Sequence, residues 1–264
     1  MLNAFKRNGA INPAIIYQGP SELDGAPIVA IATVQSSNGK TGAMLQIWIL
    51  ADNGRDPLEN NRLGNDFSIC GNCPLKGTPA PHKAKGTAEN RPCYVTLYHA
   101  PLNVWKTYMR GNYAVCGFDQ LARYGEGQNI RLGAYGDPAA IPPAVVSELL
   151  SMAKNWTGYS HQFDLMDKAR RRYWGSAVMV SADTLADAVT HWAENRRTFR
   201  MVSDVSDVMP NEVICPATPE GGKRTTCANC NLCKGSDIGA KSVAVVAHGN
   251  GAKYANAIIA QGAA

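Results

Sequence analysis

The sequence has no long hydrophobic run. Nothing approaches the roughly 18 apolar residues that cross a bilayer, since 47–50 (IWIL) and 243–247 (VAVVA) are both short. The basic N-terminus, residues 1–10, has no apolar stretch behind it, so it does not read as a secretory signal. A strong charge imbalance is missing as well. Lys and Arg number 26 against 21 Asp and Glu, a net charge of +5, which falls short of a nucleic-acid footprint by itself. Neither an internal repeat nor a clear linker interrupts the chain. What remains, 264 residues that are 45% apolar and 18% charged, suits a single α/β domain in the cytoplasm, with no membrane partner.

Cysteine is abundant by contrast. Eight occur, at 70, 73, 93, 116, 215, 227, 230 and 233. In a reducing compartment closely spaced thiols are metal ligands or redox centres more often than disulfides. A cation removes the repulsion between neighbouring thiolates and fixes the loop that carries them. Cys227, Cys230 and Cys233 form a C-x2-C-x2-C run, with Cys215-Pro216 upstream and eleven residues between Cys215 and Cys227. Such a run suits a [4Fe–4S] cluster, which a short loop can wrap. Zinc is the alternative, although structural zinc more often takes two separated C-x2-C pairs. Cys70 and Cys73 form a further C-x2-C pair, followed by Cys93 after nineteen residues. That set has three thiols and no obvious fourth. It suits either a cluster with one open iron or a zinc site completed by His82 or Cys116. Cys116 alone reads as a small buried hydrophobe.

Alternating short apolar runs and helical stripes organise the rest. Residues 27–34 and 44–50 read as an N-terminal β-hairpin closed by turn residues 36–42. Gly39-Lys40-Thr41 within that turn lacks the first glycine and the following helix of a phosphate-binding loop. Strands are expected at 94–98, 129–133, 156–160, 177–181, 198–202, 212–214 and 242–247. Helices are expected at 102–111, 118–124 and 142–154, with another that Asp183 caps. This βα alternation implies a parallel sheet, read as a partial or irregular (βα) barrel-like core over 67–250, with 1–66 as the hairpin region and Cys-rich metal-binding loops. Such folds gather chemistry at the C-terminal ends of strands. Tyr135, Asp137, Tyr159, His161 and Arg200 stand there as candidate catalytic residues, and Gly133 and Gly136 as backbone contacts for a cofactor. The clusters Lys168, Arg170–Arg172 and Arg196, Arg197, Arg200 read as a solvated face or as phosphate contacts.

Several motifs, namely 68–74 (SICGNCP), Cys93-Tyr94, 131–138 (RLGAYGDP), 157–162 (TGYSHQ), 197–200 (RTFR) and 223–233 (KRTTCANCNLC), together resemble the bacteriophage "gene product 88-like" group. The likeness runs from about residue 20 to 250. The chain is more distantly similar to radical S-adenosylmethionine (SAM) enzymes, through an early Cys set followed by Tyr and βα units. Those enzymes usually carry C-x3-C-x2-C in one loop, whereas Cys70, Cys73 and Cys93 are spread out. The resemblance implies a phage protein at work in the host cytoplasm. Taken with the cysteine spacing, the distant radical SAM similarity implies one or two [4Fe–4S] clusters, SAM as a possible cofactor, and an oxidoreductase or radical SAM-like activity on a small molecule or nucleic acid. The alternatives are a zinc-stapled nucleic-acid-binding protein, with Trp105, Tyr108, Trp156 and Trp174 stacking on bases, and a metal-folded protein that binds a host protein.

Overall fold

A computed structural model describes residues 2–34, 39–236, 239–249 and 251–261. The expected turn residues Ser36, Ser37 and Asn38 lie outside them. The strands are β1 (Ala14–Pro20), β2 (Pro27–Thr33), β3 (Leu45–Ala51), β4 (Ala114–Val115), β5 (Asn129–Tyr135), β6 (Asn155–Thr157), β7 (Tyr159–Ser160), β8 (Met179–Ala182), β9 (Thr198–Val202), β10 (Glu212–Ile214) and β11 (Ser242–Val246). The helices are α1 (Pro57–Leu63), α2 (Phe67–Cys70), α3 (Ala100–Met109), α4 (Leu121–Gly125), α5 (Pro143–Leu150), α6 (Lys168–Ala177), α7 (Leu185–Ala193), α8 (Cys227–Cys230) and α9 (Ala252–Gln261). None of them is long and apolar enough to cross a membrane.

The fold is mixed α/β with parallel sheets. One sheet has the order β4-β1-β2-β3-β5-β6 and the other β10-β11-β9-β8-β7. β1, β2 and β3 pair antiparallel in sequence order. From β3 onward, β5 and β6 join in parallel, and every ladder of the second sheet is parallel. Strands β6 and β7 are separated only by Gly158, whose carbonyl accepts from Met179 N–H. The segment 155–160 therefore carries the chain from one sheet into the other. Among the described residues no ladder joins the outer strands β4 and β10, so hydrogen bonding leaves both sheets open.

Central strands read as continuous apolar runs because both their faces are covered. Ile28 to Ala32 of β2 are all fully buried, and Ile47, Ile49 and Leu50 of β3 nearly so. Each large aliphatic side chain buried there contributes about 1.5–3 kcal/mol. Met179, Cys215, Cys233, Val243 and Val245 form a smaller apolar cluster of their own under the second sheet.

Some expectations are corrected. Residues 94–98 form irregular chain and a turn where a strand was expected, because their main chain turns along a cavity wall. The helix after β8 is capped by Thr184, whose hydroxyl accepts from Asp187 N–H in a capping box, which leaves Asp183 free to face His161. The strand β1 and the C-terminal helix α9 were not anticipated.

Candidate metal and redox site

Seven of the eight cysteines line one cavity of about 780 Å³ at the C-terminal ends of the parallel strands. The eighth, Cys116, is buried elsewhere, where its N–H donates to Ile15 O.

Local structure gathers the first set. Cys70 ends the short helix α2, and Cys73 N–H donates to Cys70 O at 3.1 Å. Cys93 is distant in sequence and returns through an antiparallel bridge of Thr78 with Glu89, which closes the intervening loop. Gly77 permits that approach. Its φ is +82°, and a Cβ there would lie 2.4 Å from the Glu89 carbonyl oxygen. Cys93 N–H then donates to Leu75 O at 3.0 Å. His82 is directed to the exposed side, where it meets Glu89 at 3.5 Å. Neither His82 nor Cys116 lines the cavity, so neither completes the first set as expected.

A different histidine stands beside it. His161 Nε2 lies 3.8 Å from Cys73 Sγ and 3.2 Å from Asp183 Oδ1. Burial opposes its charged form, but Cys73 and Asp183 outweigh that and hold its pKa well above the usual imidazole value. Asp137 Oδ2 accepts from His161 N–H and Gln162 Nε2, and Oδ1 from Ala139 N–H. Burial still raises its pKa. Gln162 clamps the Cys loop, with Nε2 donating to Cys70 O at 3.0 Å and Oε1 accepting from Asn72 N–H at 3.2 Å. The buried Tyr135 hydroxyl has no hydrogen-bond partner among the described residues. Burial, then Cys70 and Asp66, push its pKa well up. It is an unspent donor beside the first set.

The second set is built on a different frame. Cys215 follows β10 and donates its N–H to Ala244 O. Cys227 and Cys230 bracket the single turn α8, which docks on the β2–β3 connection through Cys227 N–H to Lys40 O and Ala228 N–H to Thr41 O. Arg197 holds the loop after Cys230 by donating to the carbonyls of Leu232, Gly235 and Lys241. Tyr159 packs against the cluster that holds Cys233. Burial pushes the Cys233 thiol up to about 12 and raises Tyr159 well above its ordinary value.

Burial also raises the thiols of Cys70, Cys93 and Cys227, and neighbouring cysteines add to the rise in each. Groups in this state disfavour their thiolates until a cation compensates them. Among the described residues no three His, Cys, Asp or Glu side chains converge at single-ion distance. The thiols surround a cavity instead of meeting at a point.

The glycine candidates line the same cavity, at φ +63° for Gly133 and +82° for Gly136. A Cβ on Gly136 would sit 2.8 Å from Ile49 Cβ, so close packing of β5 against β3 already requires glycine there. Around Gly133 the β3–β5 register slips, which re-aims Tyr135.

Arg200 departs from the expected grouping. Phe199 and Met201 line the cavity, while Arg200 projects to the opposite face, where it pairs with buried Glu212 through Nε–Oε1 at 2.9 Å and Nη2–Oε2 at 2.5 Å. The basic clusters are also largely spent on internal partners. Arg170 meets Glu22, Arg171 meets Met166 O and Glu194, and Arg196 meets Glu194. Trp174 is fully buried, Trp156 donates to Ala177 O, and Tyr108 donates to Asp52.

Arg131, Asp183 and Gln162 were not among the expected site residues. Arg131 is half-buried on the cavity wall and donates to Tyr94 Oη at 3.0 Å. Its sequence signal was a cation inside a strand pattern, ahead of Gly133 and Gly136 in the 131–138 motif. No family model, curated protein or solved structure matches the chain.

Proposed function

We propose that this chain is an iron–sulfur protein that performs one-electron chemistry on a small molecule held in the cavity between its two cysteine sets. The observation that carries this reading is the convergence of seven cysteines, from four separate loops, on one cavity of about 780 Å³. That volume falls within the range of small-molecule sites. The donor set fits the group: all-thiol coordination by three and by four cysteines, with buried thiols that a cationic centre would stabilise as thiolates. Cys70, Cys73 and Cys93 would hold one [4Fe–4S] cluster with an iron open to substrate or to a cofactor such as SAM. Cys215, Cys227, Cys230 and Cys233 would hold a second, closed one. When bound, such clusters supply single electrons at potentials that side chains cannot reach.

The chain's own groups have definable tasks. Tyr135 offers its hydroxyl at the first set. Gln162 and Asp137 fix the Cys70–Cys73 loop, and His161 with Asp183 holds a proton at Nε2 beside the open side. Phe199, Met201, Val243 and Val245 keep much of the wall apolar and exclude water. The parallel order β3-β5-β6/β7-β8-β9-β11, with the site at the strand ends, supports a partial barrel. On this reading the chain is a phage protein of the gene product 88-like group, at work in the host cytoplasm.

The test is iron and acid-labile sulfide content after anaerobic purification. About four irons per occupied set, with matching sulfide and absorbance near 400 nm, are expected. Replacing Cys93 or Cys227 by Ser should each remove one set's share. Iron-free protein from iron-replete cells, with zinc in its place, would overturn the reading.

A further inference from the structure

We propose that Arg131 raises the electron affinity of the second cysteine set. The inference rests on the iron–sulfur reading above.

Placement comes from the sheet register. On β5, Arg131 stands opposite Thr157 of β6, and the next residue along, Gly158, donates its N–H to Cys233 O. The guanidinium therefore shares a wall with the second set. Its one hydrogen bond among the described residues goes to Tyr94 Oη, and no carboxylate there lies within ion-pair distance of it. Burial works against its charge, yet Tyr94, Tyr159 and Cys227 outweigh that and hold the charge in place. A half-buried cation with no anionic partner is costly unless negative charge faces it.

The first set has charges of both signs around it: His161 Nε2 lies 3.8 Å from Cys73 Sγ, and Lys76 Nζ donates to Gly71 O between Cys70 and Cys73. Asp66 and Asp137 stand near Cys70, and the Arg91 guanidinium by Cys93 donates to the Cys93 and Val95 carbonyls while also facing Asp66. Reduction adds one negative charge to a centre. Nearby positive charge and hydrogen bonds to sulfur favour that step, and nearby carboxylates oppose it. Arg131 supplies such a positive charge on the wall it shares with the second set.

The experiment is a potentiometric titration of anaerobic, iron-loaded protein with dithionite as the electron source, read by low-temperature electron paramagnetic resonance. Iron content is measured on every preparation. Two waves are expected, and the one that Cys227→Ser abolishes belongs to the second set. Arg131→Met should move that wave alone to lower potential. At a fixed potential its oxidised-to-reduced ratio should rise about tenfold, a shift of about 59 mV for one electron. Arg131→Lys should restore most of the shift. Arg131→Gln, which is polar and uncharged, should behave as Met and serves where the Met variant does not fold. An unmoved wave, an equal shift of both waves, or Lys behaving as Met would each overturn the inference while the iron–sulfur reading stands. Absence of iron would overturn the reading itself, and the inference with it.

Discussion

Gly71 and Gln162 form a coupled pair whose thermodynamics can be worked out in advance. Gly71 follows Cys70 at φ +51° and ψ −131°, a conformation that side-chain-bearing residues avoid. A Cβ there would lie 2.1 Å from Gln162 Oε1. Gly71→Ala therefore adds about 1–2 kcal/mol of backbone strain and also expels the Gln162 side chain. Expulsion breaks three hydrogen bonds, to Cys70 O, Asn72 N–H and Asp137 Oδ2. At about 1 kcal/mol each that is about 3 kcal/mol, which brings Gly71→Ala to roughly 4–5 kcal/mol. Gln162→Ala loses the same bonds without the strain, about 3 kcal/mol. Independent effects would sum to roughly 7–8 kcal/mol, but the bonds can be lost only once. The double variant should thus be no less stable than Gly71→Ala, with a coupling of about 3 kcal/mol. Urea denaturation of the four proteins in one matched metal state measures this. Additivity within about 0.5 kcal/mol would refute the clamp.

Other consequences can be checked separately. Arg200→Met should strand the fully buried Glu212 carboxylate and cost about 3–5 kcal/mol in thermal or urea melts, with iron content unchanged in the protein that folds. An iron loss without a stability loss would return Arg200 to the site. Gly77→Ala should push the 89–91 segment away and with it Cys93, so that about one set's share of the iron is lost while the second set keeps its signal. Burial lowers the pKa of His191 below its ordinary value, so the folded protein binds fewer protons than the unfolded chain just below pH 6.5. Stability is complete above that pH and falls as pH drops through the window. His191→Gln should flatten that part of the urea-midpoint profile, and an unchanged slope would locate the titration elsewhere.

The sequence by itself determined the cysteine inventory. Cysteine spacing is local, so the C-x2-C pair and the C-x2-C-x2-C run were legible without a fold. The apolar runs behind β2, β3 and β11 were legible too, because a covered strand must be continuously hydrophobic. It also placed Tyr135, Asp137, Tyr159 and His161 at strand ends, and all four line the cavity. Tertiary structure decided the rest. Strand parity sent Arg200 to one face and Phe199 and Met201 to the other, and sequence does not say which face is the site. His82 was the histidine expected beside the first set, but the Thr78–Glu89 bridge turned it outward and the β6–β7 segment brought His161 to Cys73 instead. Arg131 looked like any strand cation. Its importance arises from having no carboxylate beside it, and that is a property of the packed neighbourhood, which only long-range contacts create.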